Sequence, residues 1–252
     1  MIFFLSSRSI FSRVGWWATG IGFLIHTTAL VVYAISKDYF PVTNLYESFI
    51  FFAWLLVVSH LIVCLRLRDG IAGIFLMPLV VSLMVFSQAV RKTSLVSLPT
   101  LQGGWLIVHV VSCFIAYTAF TLAFGFALMY LWQERELKTK KIDVFFFRLP
   151  AIELLDTLEF IAIIFGFIFL TVGVISGSVW AQFVWARFWQ WDPKETWALI
   201  LWVIYLFYLF GRAIWGWRGR RCAYFAVIGF LVMIFTFFGT NFLFQSTHNY
   251  LK

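Results

Sequence analysis

Acidic side chains are scarce in this chain. Asp and Glu number 11 against 19 Lys and Arg, and charged residues of both signs make up only 12% of the 252. A soluble domain carries about twice that share of charge, so a soluble globular class is excluded. Cysteine is thin as well: Cys64, Cys113 and Cys222 lie far apart and form neither a CxxC nor a CxxCH pair. Structural zinc, a dithiol redox motif and covalent cofactor attachment all lose support. No segment repeats with a period of about 20–50 residues, which argues against a solenoid. No small-residue cleavage site follows the apolar stretch from Val14, so the N-terminus reads as inserted rather than as a removed signal.

What is abundant is apolar and aromatic: 63% hydrophobic, 21% Phe, Trp and Tyr. The chain reads as an all-α integral membrane protein, one transmembrane domain over residues 1–252. A helix needs about 20 apolar residues to cross a bilayer. Seven segments qualify, at about 14–35, 45–65, 71–90, 104–132, 158–181, 196–215 and 222–247; Pro78 interrupts the third, and the fourth is long enough to tilt or protrude. Net charge is +8, which in a nucleic-acid binder would be a footprint; in a membrane protein it marks cytoplasmic loops instead. Arg8 and Arg13, then Arg66 and Arg68, then Arg135, Lys138, Lys140, Lys141 and Arg148, then Arg212, Arg218, Arg220 and Arg221 all fall on one side if the spans alternate. The positive-inside rule makes that side cytoplasmic, with the N-terminus inside and the C-terminus outside. The longest hydrophilic piece, about 133–157, is an inner connection, either a plain linker or an interfacial amphipathic stretch ("KIDVFFFRLPAIELL").

This topology sorts the four histidines. His109 enters the fourth span from outside and His248 ends the seventh, so both share the depth of the loop "WARFWQWDPKE" (185–195). A porphyrin uses such a combination: two imidazoles as axial iron ligands, flat indole contacts from Trp185, Trp189 and Trp191, and cations, here Arg187 and Lys194, for its propionates. Plainer readings exist for each part. Trp is common at any membrane interface, a lone membrane histidine more often packs than ligates, and Asp192, Pro193 and Glu195 form a helix start with a capping box. His60 and His26 lie inside spans, where a polar side chain is expensive, and are lesser candidates for the same ligand or for interhelical hydrogen bonds.

"WARFWQWDPKETWALILW" resembles the WWD signature of the CcsA/ResC-type cytochrome c biogenesis proteins, the System II haem-handling family. The resemblance extends through "FPVTNLYESFIFFAW" (40–54), "LPTLQGGWLIVHV" (98–110), "LTVGVISGSVWA" (170–181) and "FFGTNFLFQSTHNY" (237–250). It implies a subunit that holds haem b, as substrate and transported ligand, at the outer face of a bacterial plasma or thylakoid membrane. From there the haem is attached through thioethers to the CxxCH thiols of an apocytochrome c, in concert with a CcsB/ResB-type partner. On that resemblance His109 and His248 are the axial ligands. Trp180, Trp185, Trp189, Trp191, Asp192, Arg187 and Lys194 lie in or beside an external loop spanning 178–196. No acid–base pair is visible in that loop, so chemistry there is mainly the orientation of two reactants.

Two departures stand out. Ala186 follows Trp185 where the family usually has Gly, and Phe210 in "YLFGR" replaces a family histidine, so an inner haem site is either absent, differently ligated or completed by a partner. Three other readings compete: a haem exporter serving a separate chaperone, like the CcmC-type relatives; a b-type membrane cytochrome with stable bis-His haem; and a structural subunit without cofactor.

Overall fold

The computed structural model describes residues 2–67, 72–90, 104–140 and 146–243. Within them run eight helices: α1 (Ile2–Lys37), α2 (Leu45–Leu67), α3 (Ala72–Ala89), α4 (Gly104–Thr139), α5 (Ile152–Trp185), α6 (Pro193–Ile214), α7 (Arg220–Ile234) and the short α8 (Thr240–Leu243). A π turn, Phe235–Gly239, joins α7 to α8. Seven helices are long and apolar enough to cross a membrane, as composition predicts, and among the described residues there is no strand. The expected spans are found, the first, second, fourth and fifth with longer ends, the third slightly shorter, and the sixth starting earlier. α4 and α5 have 36 and 34 residues, about 50 Å each at 1.5 Å per residue and well beyond a 30 Å hydrocarbon core. The expected linker at 133–157 is thereby shortened, since its two ends belong to these helices. Pro78 sits inside α3 without ending it; membrane helices tolerate the lost backbone bond where neighbouring groups compensate.

Backbone contacts group into two compact units, residues 1–92 and 93–252. In the first, α1 and α2 are joined by polar contacts in an apolar setting. Trp54 Nε1 donates to Thr27 Oγ1 (2.8 Å), and Tyr33 OH donates to Glu47 Oε1 (3.0 Å). Glu47 is 1% exposed yet fully satisfied, also accepting from Tyr39 OH (2.6 Å), Thr43 N (2.8 Å) and Thr43 Oγ1 (2.9 Å). The Asn44 side chain accepts from the Glu47 amide (2.9 Å) and so caps α2. The "TNLYE" stretch is therefore a clasp that folds residues 39–44 onto the head of α2. Burial and the Glu47 carboxylate push the Tyr39 phenol up from its ordinary value.

In the second unit, α4 and α5 run antiparallel and meet through glycines on α5. A Cβ at Gly166 would meet the Phe120 ring, one at Gly173 would lie 2.7 Å from Cys113 Sγ, and one at Gly177 would lie 2.5 Å from His109 Nδ1. Without a hydrophobic drive between helices in lipid, such close backbone approach is what pairs them. α6 joins through Trp202 Nε1 donating to Thr171 Oγ1 (2.9 Å) and Phe120 stacked on Tyr205 (3.8 Å between centroids).

Candidate functional site

The Trp-rich connection is tighter than the expected 178–196: residues through Trp185 close α5, Pro193 opens α6, and seven residues, 186–192, remain as loop. Both ends are built by local rules. Ala186 terminates α5 in the left-handed region (φ 55°, ψ 29°), donating its amide to the Gln182 carbonyl (3.0 Å). Glycine is favoured at such a position because it has no Cβ to strain, which gives a physical reason for the Gly that this chain lacks. At the other end the full capping box is present. Asp192, 9% exposed, accepts from the Lys194 amide (3.0 Å), and Glu195 Oε2 accepts from the amides of Gln190 (2.8 Å) and Asp192 (3.3 Å). The Thr196 hydroxyl also donates to the Trp191 carbonyl (3.3 Å). The charges in "DPKE" thus hold the tryptophans: Glu195 fastens the backbone on both sides of Trp191, itself at φ 57°.

The indoles form two edge-to-face pairs, Trp180 with Trp185 (5.0 Å) and Trp189 with Trp191 (5.8 Å). Trp180 is buried and Trp191 is 69% exposed, so the pairs grade from core to open surface. Trp189 Nε1 is buried with no acceptor, an orphaned donor in the loop. Arg187 is exposed and Lys194 is half-buried.

His109 lies on α4 against the same end of α5. Its Nδ1 is 2.7 Å from the Gly173 carbonyl oxygen, which can only accept, so Nδ1 carries a proton, and in the neutral ring Nε2 is the nitrogen with the lone pair. Gly177 leaves the space that the ring fills, and Cys113 Sγ lies 3.8 Å from Nδ1. The Lys194 ammonium is close enough to act electrostatically on His109, which ties the start of α6 to this face of α4. An imidazole clamped through Nδ1 by a backbone carbonyl is the arrangement of a metal ligand with its outer partner already in place. Sequence reasoning missed Gly173 and Gly177; the signal was the i, i+4 glycine pair in "GVISG".

His248 lies outside the described residues. The helix that leads toward it is anchored: the π turn tilts Phe235 against Trp197 (4.4 Å), sets Phe237 edge-on to Phe114 (5.6 Å), and lets Thr236 Oγ1 donate to the Val232 carbonyl (2.8 Å). Such π turns occur frequently at functional sites.

The two lesser histidines belong to the first unit. His60 is 6% exposed, with its ring against Gly73 of α3 and Cys64 Sγ 3.4 Å from Nε2, so it is a packed residue in this conformation. His26 Nε2 is buried without a partner. Phe210 is 49% exposed and meets Trp215 edge-on (5.7 Å), an apolar contact at the position that holds the family histidine.

Fold and loop together define a class: a polytopic membrane protein with a capped, Trp-rich loop between its fifth and sixth spans and a preset histidine beside it. The chain belongs to the cytochrome c assembly protein family, whose model matches residues 42–248. It is similar to the cytochrome c biogenesis protein CcsA of Chlorella vulgaris (33% identical, covering 96% of this chain and 87% of the relative) and of Guillardia theta (32%, 99% and 89%). It is likewise similar to that of Synechococcus sp. strain CC9902 (34%, 90% and 83%).

Proposed function

We propose that this chain serves cytochrome c biogenesis by holding haem b beside the Trp-rich loop, with His109 and His248 as axial ligands, and presenting it to the CxxCH thiols of an apocytochrome c. The observation that carries the reading is the His109 clamp: with Nδ1–H donated to Gly173, the ring offers Nε2 alone, the form that binds iron. The orphaned Trp189 indole N–H and the exposed Trp191 face give a flat acidic ligand a donor and a platform, and Arg187 and Lys194 supply cations for propionates. The loop faces the non-cytoplasmic side under the positive-inside assignment, which suits a plasma or thylakoid membrane and a CcsB/ResB-type partner.

Haem supplies the vinyl groups when bound; the chain's contribution is position. His109 would hold the iron and the capped loop would support the porphyrin face, which would orient the vinyl groups toward incoming thiols. That orientation is worth about 7–11 kcal/mol where it is complete. Export of haem through the bundle belongs to the same proposal.

The test is haem co-purified with His109→Ala and His248→Ala, together with holocytochrome yield in a host lacking its own maturation system, with and without a CcsB-type protein. Loss of both haem and yield in each variant is expected. Unchanged haem and yield sink the reading. Haem retained without any thioether product favours a stable b-type cytochrome, and thioether formation only through a separate haem chaperone favours the CcmC-like exporter.

A further inference from the structure

Away from the Trp-rich loop, at the opposite end of α5, the second unit holds a buried carboxyl group, a half-buried one and a buried cation. Asp156 and Arg212 form a two-pronged pair: Nη1 donates to Oδ1 (2.9 Å) and Nη2 to Oδ2 (2.6 Å), with Nη2 also near the Asp156 carbonyl oxygen (3.3 Å). The Gly219 amide adds a third donor to Oδ1 (2.8 Å). Arg212 is 5% exposed and lies over the Phe160 ring at 4.3 Å. Glu159, one turn along α5, is 0% exposed. Its Oε1 accepts from Tyr208 OH (3.1 Å), while Oε2 is buried with no partner. The Tyr205 hydroxyl, one turn before Tyr208 on α6, is also buried and unpartnered.

We propose that Glu159 is a proton-binding site buried between helices: its carboxyl group holds a proton on Oε2 at neutral pH, and Arg212 is the cation placed to replace it. The argument is one of charge and donors. Arg212 is the one guanidinium beside two acids and is already committed to the half-buried Asp156, so ionising the fully buried Glu159 as well leaves a net negative charge in a medium where an unpaired ion costs several kcal/mol. A carboxylate presents about four acceptor sites, and Glu159 has a single donor. Asp156 has three donors and both prongs of the cation, so it is the ionised member. The other titratable groups near Glu159 are Tyr130 on α4, Tyr205 and Tyr208 on α6 and Cys222 on α7, all neutral in their ordinary protonation states and none supplying a positive charge. Arg212 Nε is buried with no oxygen acceptor, and the Cys222 thiol on α7 lies beside the guanidinium. On ionisation the proton leaves Oε2 for water at the Arg212 end of the bundle, and the guanidinium turns its unused Nε–H toward the new carboxylate.

Infrared spectroscopy on the full chain in lipid nanodiscs tests this. A protonated-carboxyl C=O absorption is expected at neutral pH, lost in Glu159→Gln and moved to higher frequency in Tyr208→Phe, which removes the one donor to the carbonyl. Glu47→Gln, at a carboxylate with four donors, leaves it unchanged. Absence of the absorption in the native chain, or its persistence in Glu159→Gln, overturns the proposal. Should Glu159→Gln fail to accumulate, an absorption that does not move in Tyr208→Phe overturns it equally. No haem is needed for the measurement, so its outcome is separate from that of the haem-binding reading.

Discussion

His109 Nδ1 lies 2.7 Å from the carbonyl oxygen of Gly173, and the ring rests where a side chain on Gly177 would otherwise stand. One hydrogen bond sets the tautomer and one missing Cβ sets the position, so this histidine is oriented before any ligand arrives.

Gly177→Ala inserts a methyl group into the His109 ring and forces it off the Gly173 carbonyl. Overpacking of this kind costs about 1–3 kcal/mol, and co-purified haem is expected to fall about tenfold or more. Gly166→Ala crowds the same helix pair against Phe120 instead. It is expected to lower the thermal midpoint while leaving the haem content of the folded fraction unchanged.

Ala186→Gly relieves a left-handed residue at the end of α5. A residue with a Cβ is strained there by about 1 kcal/mol, so a rise in the thermal midpoint is expected with haem content maintained. A fall would mean that the Ala186 methyl group packs usefully.

Glu195→Ala removes the carboxylate that fastens the amides of Gln190 and Asp192. Loss of a cap is worth about 0.5–2 kcal/mol. Trp191 emission, isolated by comparison with Trp191→Phe, is expected to report a less ordered indole, and haem content to fall. Thr157→Ala, at an exposed side chain of α5, is the neutral comparison.

Glu47→Gln leaves two phenols and the Thr43 groups competing for a weaker acceptor, a loss of about 1–3 kcal/mol. The clasp also has a pH signature. The Tyr39 phenol is raised in the folded chain above its ordinary value of 10.0, so the folded state keeps its proton where the unfolded state has lost it. That contribution is complete below pH 10 and declines as the pH rises through the folded value. Thermal midpoints measured from neutral to strongly alkaline pH are expected to fall more steeply in the native chain than in Tyr39→Phe.

The helices and the start of α6 were legible in the sequence because they depend on local chemistry. Runs of about 20 apolar residues must be helical in lipid, since every backbone polar group needs a partner within the segment. Asp192, Pro193 and Glu195 carry their cap in their spacing. What the chain order could not reveal is whatever depends on a neighbour across the bundle. Gly173 and Gly177 are unremarkable small residues until α5 lies against α4, and then they decide the tautomer and position of His109. Glu159 and Arg212, 53 residues apart in sequence by their numbers, read as one charge in a span and one in a basic loop. Only the packing of α5 on α6 shows that Arg212 is already paired with Asp156, leaving the Glu159 carboxyl with one donor in a medium of low dielectric. Helix formation follows from each residue's own solvation, whereas protonation and ligand geometry follow from which side chains the fold brings within a few ångströms.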